Sequence, residues 1–210
     1  CAPTLANLYL YTYESDFVDE ARKIKGDAFA HSFHMSYRLI DDVLSADNPN
    51  SKYFSMTTKD FDESGLSGVY PPELKLSDTS ISNNEVNFLG MTIKGRENSF
   101  VLDVYDKKKD FPFQVVRFPH MDSVIPAYIP YGVFTGQLTR CYRICTLWKG
   151  FIKRSCENAH TLFKQGCSRV RLMRSFNGFL DSRNPLRYKV PVKLLVKAFA
   201  TALRRAISNT

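Results

Sequence analysis

The spacing of apolar residues predicts a long helix at the start of the chain. Pro3 suits a first helical turn, and Gly26, which closely follows two lysines, suits the end of a helix. Between them, apolar side chains recur at roughly helical spacing, at Leu5, Leu8, Tyr9 and Phe17. We therefore expect a helix over residues 3–25.

The pattern then changes from helical to alternating. Apolar residues take every second place at Phe33, Met35, Tyr37 and Leu39. Such alternation is typical of a half-buried strand. It ends at Asp41 and Asp42, and Val43 and Leu44 then form a second apolar pair. We predict a strand, a tight acidic turn and a short second strand, with both carboxylates at one exposed tip.

Three further stretches predict strands. They are "ELKLSD" at 73–78, "VNFLGMTIK" at 86–94 and "SFVLDVYDK" at 99–107. The turn-forming "GREN" at 95–98 predicts an antiparallel hairpin between the last two. The polar residues 47–72 indicate connecting segments, with one short helix around "TTKDFDESG".

Helical periodicity with basic faces begins near residue 131. It is clear in "YGVFTGQLTRCYRICTLWKGFIKRSCENAHTLFKQGC" and in "PVKLLVKAFATALRRAIS". The chain before this point mixes strands and helices, so the sequence predicts an α+β fold. We expect residues 1–130 to form an antiparallel sheet with supporting helices, and residues 131–210 to form a basic helical region.

Composition narrows the class of protein. The chain has 210 residues, of which 44% are hydrophobic and 13% aromatic, so it can build a packed core. No apolar run reaches the roughly 20 residues that span a bilayer, so we expect no membrane partner. Five cysteines, an odd number, favour a reducing intracellular location, either nuclear or cytoplasmic. The sequence leaves the oligomeric state open.

The two parts of the chain carry opposite net charge. Residues 140–210 contain 16 lysines and arginines against two acids, a balance of +14, whereas residues 1–139 have a balance of −6. This asymmetry favours a polyanionic partner that binds mainly to the C-terminal half. A solvated charged surface is the alternative.

The adjacent Asp41 and Asp42 are candidate metal ligands. Mg²⁺ prefers oxygen ligands, and proteins often hold it with one or two carboxylates plus substrate phosphates. In phosphoryl transfer, such ions neutralise charge on the attacking and leaving oxygens. Acidic turns without a metal are common, so the pair by itself leaves a solvated turn open as the alternative.

The surrounding residues add a family resemblance. "YRLIDDVLS" resembles the hairpin signature of reverse transcriptases, in which an aromatic and a variable residue precede two aspartates. "CAPTLANLYLYTYE" at the start of the chain is similar to the segment that opens a helix in that family. "ELKLSDT" falls where a palm strand follows, and "VNFLGMTIK" is similar to the primer-grip strand and turn. In order and spacing, residues 1–94 resemble a retroelement enzyme of the Penelope-like or non-LTR type.

The resemblance implies an RNA-directed DNA polymerase with a palm followed by a thumb. Asp41 would be the principal metal ligand and Asp42 its partner, with two Mg²⁺ ions in the complete site and Mn²⁺ as an alternative ion. The substrates would be deoxynucleoside triphosphates and an RNA or DNA template with its primer. The other matched positions are the substrate-binding Pro3, Leu5, Asn7 and Leu39 and the primer-grip Phe88, Leu89 and Gly90. Leu39 stands where the family usually has tyrosine.

The chain departs from the family in one respect that bears on activity. The family's other metal-binding aspartate, and the fingers that hold template and nucleotide, lie upstream of the helix-opening segment. This chain begins within that segment, at Cys1, without a methionine. We therefore expect a fragment that does not polymerise alone. The alternative is a domesticated or decayed derivative that only binds nucleic acid.

The basic helical region supplies candidate nucleic-acid contacts. We expect six of its residues to contact phosphates: Arg140, Arg143, Lys149, Lys153, Arg154 and Lys164. Aromatic residues among them, such as Trp148, Phe151 and Phe176, either stack on bases or fill a helical core.

A zinc site in the same region is a further alternative. Cys141 and Cys145, and likewise Cys156 and His160, have the i, i+4 spacing that places two ligands on one helix face. The short Cys-x2-Cys spacing of common zinc knuckles is absent, and small buried cysteines are frequent in helices. The sequence shows no hydrolase nucleophile signature and no glycine-rich phosphate loop.

Overall fold

The computed structural model describes residues 2–113, 115, 116, 118, 120–183 and 186–208. Cys1, the first residue of the family-like segment, lies outside them. The chain divides into two compact units, Cys1–Ser80 and Ile81–Thr210. The structure combines helices with antiparallel strands, which confirms the α+β class at that level. The predicted boundary at residue 130 falls where a helix begins, at Ile129, and not where the two units divide.

The first unit has one long helix, two short helices and a hairpin. They are α1 (Ala2–Lys25), α2 (Asp27–His31), β1 (Ser36–Leu39), β2 (Asp42–Ser45) and α3 (Lys52–Ser55). Helix α1 is confirmed as predicted, and it ends at Gly26, whose φ of +88° suits glycine. The predicted first strand is shorter than expected, because residues 33–35 form turns.

An aromatic cluster forms the core of the first unit. Phe17 of α1 lies edge-on to Phe33, with 5.0 Å between ring centroids, and 5.7 Å from Tyr53. Leu66 and Val69, from the loop after α3, complete the buried cluster. The long helix, the segment before the hairpin and this loop are thus held by the same rings.

Asp62 organises that loop. Its Oδ2 accepts hydrogen bonds from Lys25 Nζ and Tyr53 OH, both at 2.5 Å, and its Oδ1 accepts from the N–H groups of Ser64 and Leu66. Lys25 and Tyr53 hold the pKa of this carboxyl well below its usual range. The predicted short helix around residues 57–65 is wrong, since the aspartate side chain binds N–H groups in a turn conformation instead.

The second unit begins with a three-stranded antiparallel sheet. Its strands are β3 (Glu85–Phe88), β4 (Met91–Arg96) and β5 (Ser99–Val104), in that order. The hairpin predicted around residues 95–98 is confirmed. The stretch 86–94 is two strands, separated by a turn at Leu89 and Gly90.

The predicted strand at 73–78 is wrong. Pro72–Leu74 forms one turn of 3-10 helix, and the residues up to Asp78 belong to no strand. Pro71 and Pro72 precede this stretch, and a proline fixes φ and lacks the N–H that a strand ladder needs. The alternation of Leu74 and Leu76 with polar residues is therefore not that of a strand.

In the part of the second unit that the structure describes, four α-helices follow the sheet, as the periodicity predicts. They are α4 (Ile129–Ile144), α5 (Trp148–Lys164), α6 (Arg169–Arg183) and α7 (Val192–Ser208). Helix α5 packs against both α4 and α7. Phe151 of α5 is fully buried, and Phe176 of α6 stacks on Phe199 of α7 with 3.9 Å between ring centroids. Phe151 and Phe176 thus fill the core and do not offer faces to nucleic-acid bases.

One ion pair joins the sheet of the second unit to its helices. Arg154 of α5 donates from Nη2 to Asp103 Oδ2 of β5 at 2.7 Å, and from Nε to Asp103 Oδ1 at 3.0 Å. Its Nη1 also donates to Glu157 at 3.1 Å. Burial acts to raise the pKa of Asp103, but the hydrogen bonds and charge of Arg154 outweigh it and keep that pKa below its usual value.

Within the described part of the chain, no helix is both long enough and apolar enough to cross a bilayer.

We predict that Asp103→Asn lowers the free energy of unfolding of the second unit by about 2 kcal/mol at neutral pH, because a charge-assisted pair is lost. A carboxyl with a lowered folded-state pKa stabilises the protein above its unfolded pKa, and this contribution disappears as the pH falls through the folded pKa. The difference between parent and variant should therefore shrink below about pH 4. Urea unfolding at neutral and acid pH measures it. Glu97→Gln, at an exposed turn, is the control, and an equal loss at both pH values would contradict the prediction.

Candidate metal-binding hairpin and basic helical faces

The acidic pair lies at the tip of the β1–β2 hairpin. The strands pair antiparallel, with Leu39 opposite Asp42, so Ile40 and Asp41 are the two turn residues. Both aspartates are exposed. The structure thus gives the predicted arrangement of strand, tight acidic turn and strand, and the two carboxylates are accessible to a cation from solvent.

The turn itself has an unusual backbone. Ile40 has a φ of +56°, in the left-handed region. This conformation is normally left to glycine, asparagine or aspartate, and for a β-branched residue it is an outlier that costs about 1–2 kcal/mol. Strained residues of this kind concentrate at functional sites. The strand register places Asp41 beside Ile40 in the turn and Asp42 at the first position of β2.

Arg38 ties this hairpin to helix α1. Its Nε donates to Glu14 Oε1 at 2.5 Å, and its Nη1 donates to Asn7 Oδ1 at 2.7 Å. Asn7, predicted as a substrate contact, therefore has its side-chain oxygen engaged by the hairpin. The contact brings two predicted elements together, since the helix that carries Pro3, Leu5 and Asn7 binds the strand that leads to Asp41.

The other predicted substrate residues are exposed. Pro3 and Leu5 lie on the first turns of α1, and the side chain of Leu5 is 64% exposed. Leu39, at the end of β1, is 46% exposed. Apolar side chains with such a large exposed fraction are accessible to a ligand. The contacts among the described residues do not identify that ligand.

The predicted primer-grip residues form a second tight turn. Leu89 and Gly90 both have positive φ, +49° and +74°, as in the type I′ turn that suits two-residue hairpins. Arg140 of α4 donates from Nη2 to the Gly90 carbonyl at 3.4 Å. A Cβ atom on residue 90 would lie 2.6 Å from that guanidinium, which is the mobile end of an exposed side chain, so it is the positive φ of residue 90 and not this contact that favours glycine. Arg140, predicted to bind phosphate, thus lies beside the predicted primer grip.

The predicted basic contacts fall into two groups. Arg143, Lys149, Lys153 and Lys164 are exposed and available to an anion. Arg154 differs, because its side chain is only 17% exposed and binds Asp103 and Glu157. Arg154 is therefore not part of the basic surface that an anion can reach.

Helix α7 carries a basic face that the sequence prediction did not include. Lys193, Lys197 and Arg204 are exposed, and the spacing of four and seven residues places them along one side. Leu195, Phe199 and Leu203 face the core and are fully buried. The helix has no acidic residue, and in the described part of the chain none of the three cations forms an ion pair. The i, i+4 spacing of cations in an acid-free helix was the signal available in the sequence.

The cysteines of the zinc alternative lie in the helical core. Cys141 and Cys145 are at most 1% exposed, and Cys145 donates from Sγ to Asp103 Oδ1 at 3.4 Å. Burial raises the pKa of Cys145 to about 12 and that of Cys156 to about 11, so without a metal both are thiols at neutral pH. Among the described residues, no three histidine, cysteine, aspartate or glutamate side chains are grouped as a metal site would need.

Comparisons with known proteins returned no match. No protein-family model matches the chain, and neither a curated protein nor a solved structure does.

The strained turn gives a test of its own. We predict that Ile40→Gly raises the free energy of unfolding of the first unit by about 0.5–1 kcal/mol, because the relief of left-handed strain exceeds the entropy cost of glycine. Thermal unfolding should then shift upward by about 2–4 °C. Ile40→Ala, which removes the branched side chain but keeps Cβ, should shift less. A lower melting temperature for the glycine variant would show that Ile40 is not strained.

Proposed function

We propose that the chain is the palm-and-thumb portion of an RNA-directed DNA polymerase of a retroelement. The observation that carries the proposal is the exposed acidic pair at the tip of a strained two-residue hairpin, tied by Arg38 to the helix that bears the predicted substrate face. A two-residue hairpin turn takes positive φ in any setting, but a solvated acidic turn does not need the tie to α1. In the proposed reaction, a primer 3′-hydroxyl attacks a deoxynucleoside triphosphate, and the template is RNA or DNA.

The residues present fit part of a two-ion magnesium site. Asp41 and Asp42 supply exposed carboxylate oxygens, the donors that Mg²⁺ prefers, and incoming phosphates would supply further oxygens. Bound divalent ions would neutralise the charge that develops on the attacking and leaving oxygens. Two adjacent carboxylates do not complete a two-ion site, so the chain alone is not expected to polymerise.

The basic helical faces support the nucleic-acid part of the proposal. The first unit has a formal charge of −6 and the second a charge of +14, so the charge asymmetry follows the division between units. Exposed cations occur on α5, at Lys149, Lys153 and Lys164, and on α7. Rows of exposed cations suit a phosphate backbone, which is read by charge and shape rather than by sequence.

A non-catalytic nucleic-acid-binding protein is the second candidate. It is favoured by the incomplete carboxylate set, since the described residues group no three potential metal ligands. The two candidates differ in one measurable property, which is whether the hairpin tip binds a divalent ion.

We predict that the chain binds Mn²⁺ at the tip, with saturable paramagnetic broadening of the amide signals of Asp41 and Asp42. Asp41→Asn should weaken binding about tenfold or more, because a charged ligand is lost. Asp16→Asn, an equal change of charge on the exposed side of α1, is the control. If the parent and Asp41→Asn bound Mn²⁺ with equal affinity while the chain still bound a duplex, the metal site would be contradicted and the non-catalytic candidate supported.

We also predict a steep salt dependence for binding of the full chain to a B-form DNA primer–template duplex. The slope of log affinity against log salt should be about 0.9 for each phosphate contact on a B-form duplex, so the triple variant Lys193→Gln, Lys197→Gln and Arg204→Gln should reduce it by about 2–3. The matched control removes three exposed lysines of the acidic unit, Lys23, Lys59 and Lys75. An equal effect of both triple variants would show that only net charge matters and would contradict a specific basic face.

A further inference from the structure

One side chain of the acidic hairpin, that of Arg38, joins it to helix α1 by hydrogen bonds. A two-stranded hairpin is at best marginally stable in water. A cavity of about 130 Å³ lies beneath this one, and Phe17, Val43 and Phe54 are among the residues that line it. Apolar packing between the hairpin and α1 is therefore incomplete, and polar contacts must fix how the hairpin lies on the helix.

Arg38 supplies those contacts with one planar group. Besides the bonds from Nε and Nη1, its Nη2 donates to the Asn7 carbonyl at 3.1 Å and lies 3.4 Å from Glu14 Oε2. Asn7 and Glu14 are two helical turns apart on the same side of α1. The side chain of Arg38 is 11% exposed. Its contacts with Asn7 and Glu14 form a grip on α1 at two separate points. This grip fixes the direction of the hairpin as well as its distance from the helix.

A second residue holds the acceptor in place. Tyr70, which is 3% exposed, donates from its hydroxyl to Glu14 Oε1 at 2.6 Å. Glu14 therefore lies between a buried phenol and the guanidinium, and its carboxylate has little freedom to follow Arg38 if the hairpin moves. The grip is built from three elements of the unit, which are α1, β1 and the loop that ends at Tyr70.

The grip acts on the acidic tip through a short, stiff path. Arg38 pairs with Val43 across the hairpin, and only Leu39 and Ile40 separate it from Asp41. Because the turn has two residues, a rotation of β1 on α1 carries the tip with it. Functional groups must be held within roughly 0.5 Å and 10–20° of their productive geometry, a tolerance that a loose hairpin would exceed.

We propose that Arg38 is a positioning residue that sets the orientation of the Asp41–Asp42 tip relative to the α1 face bearing Pro3 and Leu5. The inference rests on the proposed function for its catalytic meaning, but the orientation itself can be measured without it. Asn7 then belongs to the grip and not to the substrate pocket. Lysine cannot replace Arg38, because a single ammonium cannot reproduce the planar fork that binds Glu14 and Asn7 together.

The test uses the full chain without metal and measures residual dipolar couplings of the amides in α1 and in β1–β2. In the parent, one alignment tensor should fit both elements. In Arg38→Lys, we expect the hairpin to rotate relative to α1 by more than about 10–20°, the tolerance of a productive site. Arg22→Lys, an exposed salt-bridge residue on the same helix, is the matched control and should leave the orientation unchanged.

A merely structural role predicts a different result. Arg38→Lys would then lower the melting temperature while one tensor still fitted both elements, and this outcome overturns the inference. If Arg38→Lys does not fold, Asn7→Ala removes the acceptor of Arg38 Nη1 and keeps both the Asn7 carbonyl and the Glu14 pair. A rotation in that variant supports the inference, and an unchanged orientation contradicts it.

A Mn²⁺ titration separates this inference from the proposed function. Mn²⁺ bound at the tip should broaden amide signals near Asn7 in the parent, and this broadening should weaken in Arg38→Lys while that at Asp41 and Asp42 persists. Absence of any saturable broadening at Asp41 and Asp42 in the parent would reject the metal site of the proposed function. The dipolar couplings would still decide whether Arg38 orients the hairpin.

Discussion

The fork between the Arg38 guanidinium and the Glu14 carboxylate is the interaction on which the candidate site depends. A charge at a half-buried position must be paired, because an unpaired one costs several kcal/mol. Here the pairing also solves a mechanical problem, since β1 and β2 have no third strand among the described residues. Arg38 therefore has two roles. Its positive charge pairs with the carboxylate of Glu14, and its planar guanidinium fixes the direction of the hairpin on α1. The second role is the more specific, because it requires the shape of arginine.

The second unit uses the same device for another purpose. Arg154 joins β5 to α5 through Asp103 and Glu157, and it is removed from the set of cations that a partner can reach. Ion pairing thus divides the basic residues of this unit into those that hold its elements together and those that stay exposed. Arginines that meet an acid inside the unit hold its elements together, whereas Lys193, Lys197 and Arg204 remain exposed along α7. A count of basic residues from the sequence cannot make this distinction.

The periodic elements were predictable, and the exceptions have local causes. Helix α1 and the four described α-helices of the second unit follow their 3.6-residue pattern. The acidic hairpin forms where the alternation predicts it, but its faces are the reverse of those expected, since Tyr37 and Leu39 are exposed and Arg38 faces inward to pair with Glu14. The loop at 57–65 was not predictable, because its conformation is set by long-range bonds from Lys25 and Tyr53 to Asp62. The turn at Leu89 was not predicted, because leucine rarely takes positive φ. For the site, sequence located the aspartates but could not show that Asn7 and Arg154 were already engaged.

Charge couples the two proposed activities. A phosphate backbone near Asp41 and Asp42 is repelled by them and by the −6 charge of their unit, so the approach of nucleic acid to the tip is unfavourable without a cation. A divalent ion bound there cancels the charge of the two carboxylates and so removes this local repulsion. Because linkage is reciprocal, any factor by which the metal raises the affinity for nucleic acid is the factor by which nucleic acid raises the affinity for metal. The weak ion binding expected of two carboxylates alone is therefore compatible with a functional site, since the polyanion itself supplies the missing oxygen ligands.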